Sequence, residues 1–281
     1  MIAVTGSTGQ LGRLVINSLK AKVPAGQIVA LARSPEKIAD LGVETRLADC
    51  DKPEILRVAL KGIDRLILIS SNEVGQRTVQ HQNIIAAAKA VGVKQIIYTS
   101  LLNAETSGIS LADEHRTTEA DLVAAGIPFV ILRNGWYLEN YGTAIDGALA
   151  SGTVMGSAGA GRIAAAARAD FAEAAAVVAT SADHEGKIYE LGGDVPFTLG
   201  ELADTIARIS GKPVNHADLP EADYASALVG IGLGPDIAAM VAGWDVAIAD
   251  GALDDSSRTL SKLIGRPTTT LADYVSAHIN G

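Results

Sequence analysis

Apolar and polar positions along this chain switch repeatedly between a period of two and a period of about 3.6 residues. Ile2-Ala3-Val4 is a short apolar strand, and Leu11, Leu14, Val15 and Leu19 behind it recur at helical spacing. The alternation continues with a strand over 27–32, a helix beginning after Pro35, a strand over 43–48 and a helix from Pro53 to Leu60. A strongly apolar strand over 66–69 follows, then a helix around His81 to Val91, a strand over 95–100, a helix over 111–125 and a strand over 128–132. Strands separated by single helices imply a parallel sheet covered on both faces. After Arg133 the pattern changes. Glycines cluster between Gly152 and Gly161, an alanine-rich helix runs from Arg168 to Thr180, and a strand covers 187–191. Thr198 and Glu201 form a capping-box signature for a helix reaching Ser210, and from Val214 onward short helices alternate with loops.

Composition narrows the partners. Acidic residues number 32 and basic residues 23, a net charge of −9 with no basic run, which argues against a nucleic-acid surface. Cys50 is the single cysteine, so no intramolecular disulfide or thiolate metal site is available, and the five histidines include no close pair at ligand spacing. No metal is expected. The chain opens directly on a strand without signal-peptide features and holds no apolar run of spanning length, so a cytoplasmic protein away from the membrane is expected.

The glycines at 6, 9 and 12 carry the first chemical signal. Between a strand and a helix they permit a tight turn, close approach of backbone to a pyrophosphate, and close helix–sheet packing. Ser7, Thr8 and Gln10 are candidates for further hydrogen bonds to phosphate. The second strand ends in Ala32-Arg33, where a dinucleotide's adenosine ribose is expected. An arginine there, with Lys37 nearby, suits a 2′-phosphate, so NADPH is expected over NADH; Glu36 could instead reach the ribose or cap the following helix. Asp49 is expected beside the adenine, and the loop from Ser70 to Gly75 at a strand's carboxyl end is expected to line the ligand crevice. The expected architecture is therefore α/β: a Rossmann doubly wound parallel sheet with a smaller C-terminal α/β lobe. Residues 1–135 form the NADP-binding domain, with 162–192 returning to it, and 136–281 form mainly a substrate-binding lobe, the substrate entering between the two. An apolar helix face could serve either the core or a homodimer contact.

Six segments in order, GSTGQLG (6–12), ISSNEVGQR (69–77), YTSLLNA (98–104), ADEHRTTE (112–119), LRNGWYLENY (132–141) and TLSKLIGRPTTTL (259–271), resemble the NmrA-like atypical short-chain dehydrogenases/reductases over nearly the whole chain. Within that family the resemblance is to the bacterial type 2 NAD(P)H:quinone oxidoreductases. It implies reduction of small quinones by NADPH without flavin. The family also holds reductases of triarylmethane dyes and non-catalytic proteins that bind the dinucleotide to sense redox state. Carried onto matching positions, the resemblance implicates Gly6, Ser7, Thr8, Gly9, Gln10 and Leu11 at the pyrophosphate and Arg33 at the 2′-phosphate. It further places Glu73, Val74 and Gly75, the run Tyr137, Leu138, Glu139, Asn140, Tyr141 and Gly142, and Arg168 around the cofactor.

Catalysis is less plainly written. Short-chain dehydrogenases typically use tyrosine and lysine four residues apart, and here that spacing is held by His115 and Glu119. His115 is a candidate proton donor or a polar helix residue, Tyr98 is expected to be packed within its strand, and Ser100 stands where a catalytic serine usually does. Tyr137 and Asn140 are the further catalytic candidates. They follow a strand end and combine an aromatic face with an amide, as do Asn134, Trp136 and Tyr141 around them. A quinone is already a strong hydride acceptor, so positioning alone could supply most of the acceleration.

Overall fold

The computed structural model describes residues 1–281. In chain order its principal elements are β1 (Ile2–Val4), α1 (Gln10–Lys20), β2 (Ile28–Ala32), β3 (Glu44–Leu47), α2 (Pro53–Ala59), β4 (Arg65–Leu68), α3 (Arg77–Val91), β5 (Gln95–Leu101), α4 (Ala112–Ala125) and β6 (Phe129–Asn134). Then come α5 (Gly142–Ser151), β7 (Thr153–Gly156), α6 (Arg168–Thr180), β8 (Ile188–Leu191), α7 (Leu199–Ser210), β9 (Asn215–Asp218), α8 (Glu221–Gly230), α9 (Pro235–Ala249), α10 (Thr259–Ile264) and α11 (Leu271–Asn280).

Seven strands form one sheet in the order β3-β2-β1-β4-β5-β6-β8, and all pairings from β3 through β6 are parallel. This is the doubly wound Rossmann order, in which the chain reverses direction across the sheet between β1 and β4. The expected strands are present with ends shifted by a residue or two. One helix differs: after Pro35 the chain forms a 3₁₀ stretch, Pro35–Leu41, that ends on the left-handed Gly42.

The chain folds into two compact units. The first contains 1–104, 113–134 and 168–189; the second contains 105–112, 135–167 and 190–281. In the first unit, Ala3, Val29, Leu31, Leu66, Leu68, Ile96 and Tyr98 line one core with Leu56 of α2 and Ile84, Ile85 and Ala88 of α3. Elsewhere in the unit, α1 buries Leu11, Val15, Ile16 and Leu19 and packs on α6, whose alanines at 172, 174, 175 and 176 let the two helices lie close. In the second unit, Thr198 accepts from the Glu201 backbone N–H at 3.1 Å while the Glu201 carboxylate accepts from the Thr198 N–H at 2.8 Å, the expected capping box. Two short strands there escape the sequence pattern: β7 and β9 pair in parallel from Thr153↔Asn215 to Gly156↔Asp218. No helix is long and apolar enough to cross a membrane.

A carboxylate in the second unit limits stability. Asp245 accepts from the Ser157 N–H at 2.8 Å. Burial, opposed by that bond and reinforced by Asp218, pushes its pKa up to about 6. An aspartate whose folded pKa is raised contributes its stability below its unfolded pKa near 4 and loses it as pH rises through 6, at a cost on the order of 3 kcal/mol. Asp245→Asn should therefore raise the unfolding midpoint in urea at pH 8 and leave it unchanged or lower at pH 4. Equal midpoints for the two proteins at pH 8 would contradict the assignment.

Candidate active site

At the carboxyl end of β1 the chain turns through Gly6, whose φ of +60° is in the left-handed region. A Cβ on Gly12 would lie 2.3 Å from the Gly6 carbonyl oxygen and one on Gly9 3.2 Å from it, so side chains there would push α1 away from the strand. The turn is closed by the Gly9 N–H on the Gly6 carbonyl at 2.9 Å. Helix α1 starts without a side-chain cap and with no acidic residue in its first turn. The uncapped N-terminus of this eleven-residue helix, beside a glycine cradle, fits a dinucleotide pyrophosphate: free N–H groups and the helix dipole both favour an anion. Thr8, Gly9 and Gln10 are exposed there, and Leu11 is buried. Ser7 corrects the sequence expectation. Its buried hydroxyl donates to the Val4 carbonyl at 2.7 Å and so shapes the turn instead of facing a phosphate.

At the end of β2, Arg33 projects with 64% of its side chain exposed and pairs with Glu73 at 2.8 Å. Lys37 and Glu36 are exposed on the 3₁₀ stretch. Asp49 pairs with Lys52 at 2.9 Å, and that contact holds its carboxyl below the usual range. The loop after β4 is held at almost every residue. Thr5 and Thr99 accept from the N–H groups of Ile69 and Ser70, both at 2.9 Å, and His81 Nε2 accepts from Ser71 at 3.0 Å. Glu114 accepts from the Gly75 N–H and from Arg77, each at 3.0 Å, while Arg77 also donates to the Ser71 carbonyl at 2.7 Å. Val74 stands out of this loop with its apolar side chain exposed. The sequence reading missed Arg77, Gln80 and Glu114. The signal was available, because Arg77, Gln80 and His81 fall at i, i+3 and i+4 on one face of α3 and all are buried.

Where a tyrosine and lysine would operate, the structure has two closed networks. His115 Nδ1 meets the Tyr98 hydroxyl at 2.7 Å, both groups buried. Because Nε2 of His81 accepts from Ser71, a neutral His81 carries its proton on Nδ1, facing Thr118 at 2.9 Å. Burial chiefly, with the nearby Arg77 charge, lowers both histidines to about 3. His115 is thus a neutral, sealed imidazole and not a reservoir of protons at neutral pH. Glu119 binds Arg133 through both oxygens, at 3.0 and 2.6 Å, and accepts from Ser100 at 2.5 Å. Ser100 and Glu119 therefore belong to a buried ion-pair cluster. Arg168 stands half-buried at the first residue of α6.

The run from Tyr137 to Gly142 belongs to the second unit. Tyr137 bridges Ala166 and the Leu138 N–H bonds the Ala166 carbonyl at 3.0 Å, which fixes the start of a short 3₁₀ turn over 138–141. Tyr137 and Glu139 are half-buried and Asn140 is exposed. Leu138 is fully buried, and Tyr141 packs edge-on against Phe197 with ring centroids 5.5 Å apart. The side chains of Leu138 and Tyr141 are core, contrary to a ligand-contact reading, so only their backbone could serve a ligand. Trp136, half-buried in the same segment, packs edge-on with Trp244 at 5.5 Å. Gly142 begins α5 close to His278 and Tyr274.

The sequence matches the NmrA-like family over residues 1–275. This chain belongs to that family. It is 54% identical to Quinone oxidoreductase 2 of Escherichia coli (strain K12), an alignment covering 100% of this chain and 99% of that protein. The crystal structure of the E. coli NADPH-dependent quinone oxidoreductase QOR2 complexed with NADPH superimposes with a TM-score of 0.98, covering 100% of both chains. The Citrobacter sp. triphenylmethane reductase complexed with NADP(H) is 38% identical with a TM-score of 0.93, covering 99% of this chain and 100% of the other.

The buried cluster at Glu119 generates a stability test. Glu119→Gln removes the carboxylate charge that receives two buried Arg133 contacts and should cost about 3 kcal/mol in urea unfolding. Replacing the pair together, with Glu119→Met and Arg133→Leu, should recover most of that loss. A single substitution costing less than about 0.5 kcal/mol would show that the pair is not the buried contact described.

Proposed function

We infer that this protein is an NADPH-dependent quinone reductase that passes hydride to its acceptor without flavin. The observation that carries this reading is full-length identity of 54% to a quinone oxidoreductase, joined to the glycine cradle and the arginine at the end of β2. The dye reductase stands further away, at 38%. The reading as a non-catalytic sensor draws only on the missing tyrosine and lysine, an absence that the quinone's own reactivity offsets.

Bound NADPH would supply the hydride, so that quinone, NADPH and one proton give hydroquinone and NADP⁺. The chain's work is then to bind and orient. The N–H groups opening α1 receive the pyrophosphate, with Thr8 and Gln10 at hand, and Arg33 with Lys37 receives the 2′-phosphate. Asp49, Ser70 and the Glu73–Gly75 segment are assigned to the adenosine side and crevice wall, with Arg168 at the start of α6 a further cofactor contact. In the second unit, Tyr137 offers an aromatic face and Asn140 an exposed amide, and we assign these to the acceptor and the nicotinamide. Gly142 and Glu139 flank them. Because His115 is neutral and bonded to Tyr98, the proton that completes the hydroquinone comes from water or a hydroxyl. With a net charge of −9, nucleic acid is not among the partners proposed; a small quinone in the cytoplasm is.

Purified flavin-free protein should oxidise NADPH in the presence of benzoquinone, and faster than NADH. Arg33→Ala should raise the KM for NADPH by about tenfold or more, the worth of a lost charge-assisted contact, and move that for NADH little. Tight NADPH binding without oxidation across several quinones would favour the sensor. An equal loss for both nucleotides would remove the 2′-phosphate role of Arg33.

A further inference from the structure

We propose that Glu73 sets how sharply this protein distinguishes NADPH from NADH, by competing with the 2′-phosphate for Arg33. The proposal rests on the reading that a dinucleotide's adenosine end lies at the carboxyl end of β2.

The carboxylate of Glu73 is built into place. One oxygen accepts from the Gln80 side-chain amide at 2.8 Å, and Gln80 is only 4% exposed. The rest of that side chain's hydrogen-bonding capacity is also committed: its carbonyl oxygen accepts from the Ser71 hydroxyl at 2.6 Å, and the same amide nitrogen also reaches Asp51 at 3.3 Å. The Ser71 hydroxyl in turn accepts from the Glu73 N–H at 3.2 Å. Glu73, Ser71 and Gln80 thus close a ring of hydrogen bonds that holds the second carboxylate oxygen toward Arg33. The two partners are unequal, because Glu73 is anchored by a buried amide whereas Arg33 sits on a long exposed stem.

That inequality has a chemical consequence. An arginine alone presents a full positive charge to a phosphate dianion; one paired with a fixed carboxylate presents little net charge beyond a few ångströms. Asp49 and Asp51 lie on the same side, and Asp49 has its own cation in Lys52. A 2′-phosphate must therefore draw Arg33 partly away from Glu73 and sit near its negative charge. An unphosphorylated ribose meets no such repulsion and can donate its 2′-hydroxyl to the carboxylate, the role an acidic residue at a strand end plays in NAD sites. Glu73 weakens NADPH, supports NADH, and leaves the protein with a moderate preference where Arg33 alone would impose a strong one.

The test is calorimetric binding of NADP⁺ and NAD⁺ to the wild-type protein and to Glu73→Gln, which keeps the hydrogen-bonding shape and removes the charge. The variant should bind NADP⁺ about five- to tenfold more tightly and NAD⁺ about two- to fivefold more weakly, and the gain for NADP⁺ should shrink from low to high salt. Weaker binding of both nucleotides, or a change indifferent to salt, would make Glu73 a mere tether for Arg33 and overturn the proposal. Failure of the wild-type protein to bind either nucleotide would instead remove the reading on which the proposal stands, and the proposal with it.

Discussion

The close approach of Gly12 to the Gly6 carbonyl is the constraint on which the nucleotide site depends. Only a residue without Cβ lets α1 begin directly over the end of β1, and only in that position do its unbonded N–H groups stand at the switch point of the sheet. The Ser7 hydroxyl on the Val4 carbonyl and the left-handed Gly6 serve the same geometry. A helix dipole left uncapped and without a first-turn carboxylate is an unsatisfied charge arrangement that an anion completes.

The other side of the site is rigid for a different reason. Here the groups that would carry acid–base chemistry in a typical short-chain dehydrogenase have become scaffolding. Buried and neutral, His81 ties the loop after β4 to α3, His115 fastens β5 to α4, and the Glu119–Arg133 pair joins α4 to β6. An enzyme that hands hydride to an acceptor as willing as a quinone needs placement more than proton transfer, and a site built from closed hydrogen-bond networks supplies placement.

How much of this was legible in the sequence follows from the range of the interactions involved. The central strands of the first unit were legible because they are apolar and alternate with helices, so local pattern and tertiary role agree. The glycine turn and the position of Arg33 at a strand end were legible because both are local features. For His115 the sequence left a proton donor and a polar helix residue both open, because its spacing to Glu119 imitates a catalytic pair, while its hydrogen-bond partner, Tyr98, comes from a neighbouring strand. Leu138 and Tyr141 fall in a run that resemblance marked as cofactor-binding, yet packing against the second unit's own core claims their side chains. Strands β7 and β9 were illegible: Asn215-His216-Ala217-Asp218 has no strand signature, and only pairing with β7 makes it one.

The most direct test of the central claim, hydride transfer from NADPH to a quinone on a flavin-free protein, is single-turnover oxidation of NADPH carrying deuterium at one or the other C4 position. The account predicts that one of the two labelled forms is oxidised several-fold more slowly than unlabelled NADPH, at a rate independent of added flavin. Indifference to both labels, or activity that appears only when flavin is supplied, would contradict it.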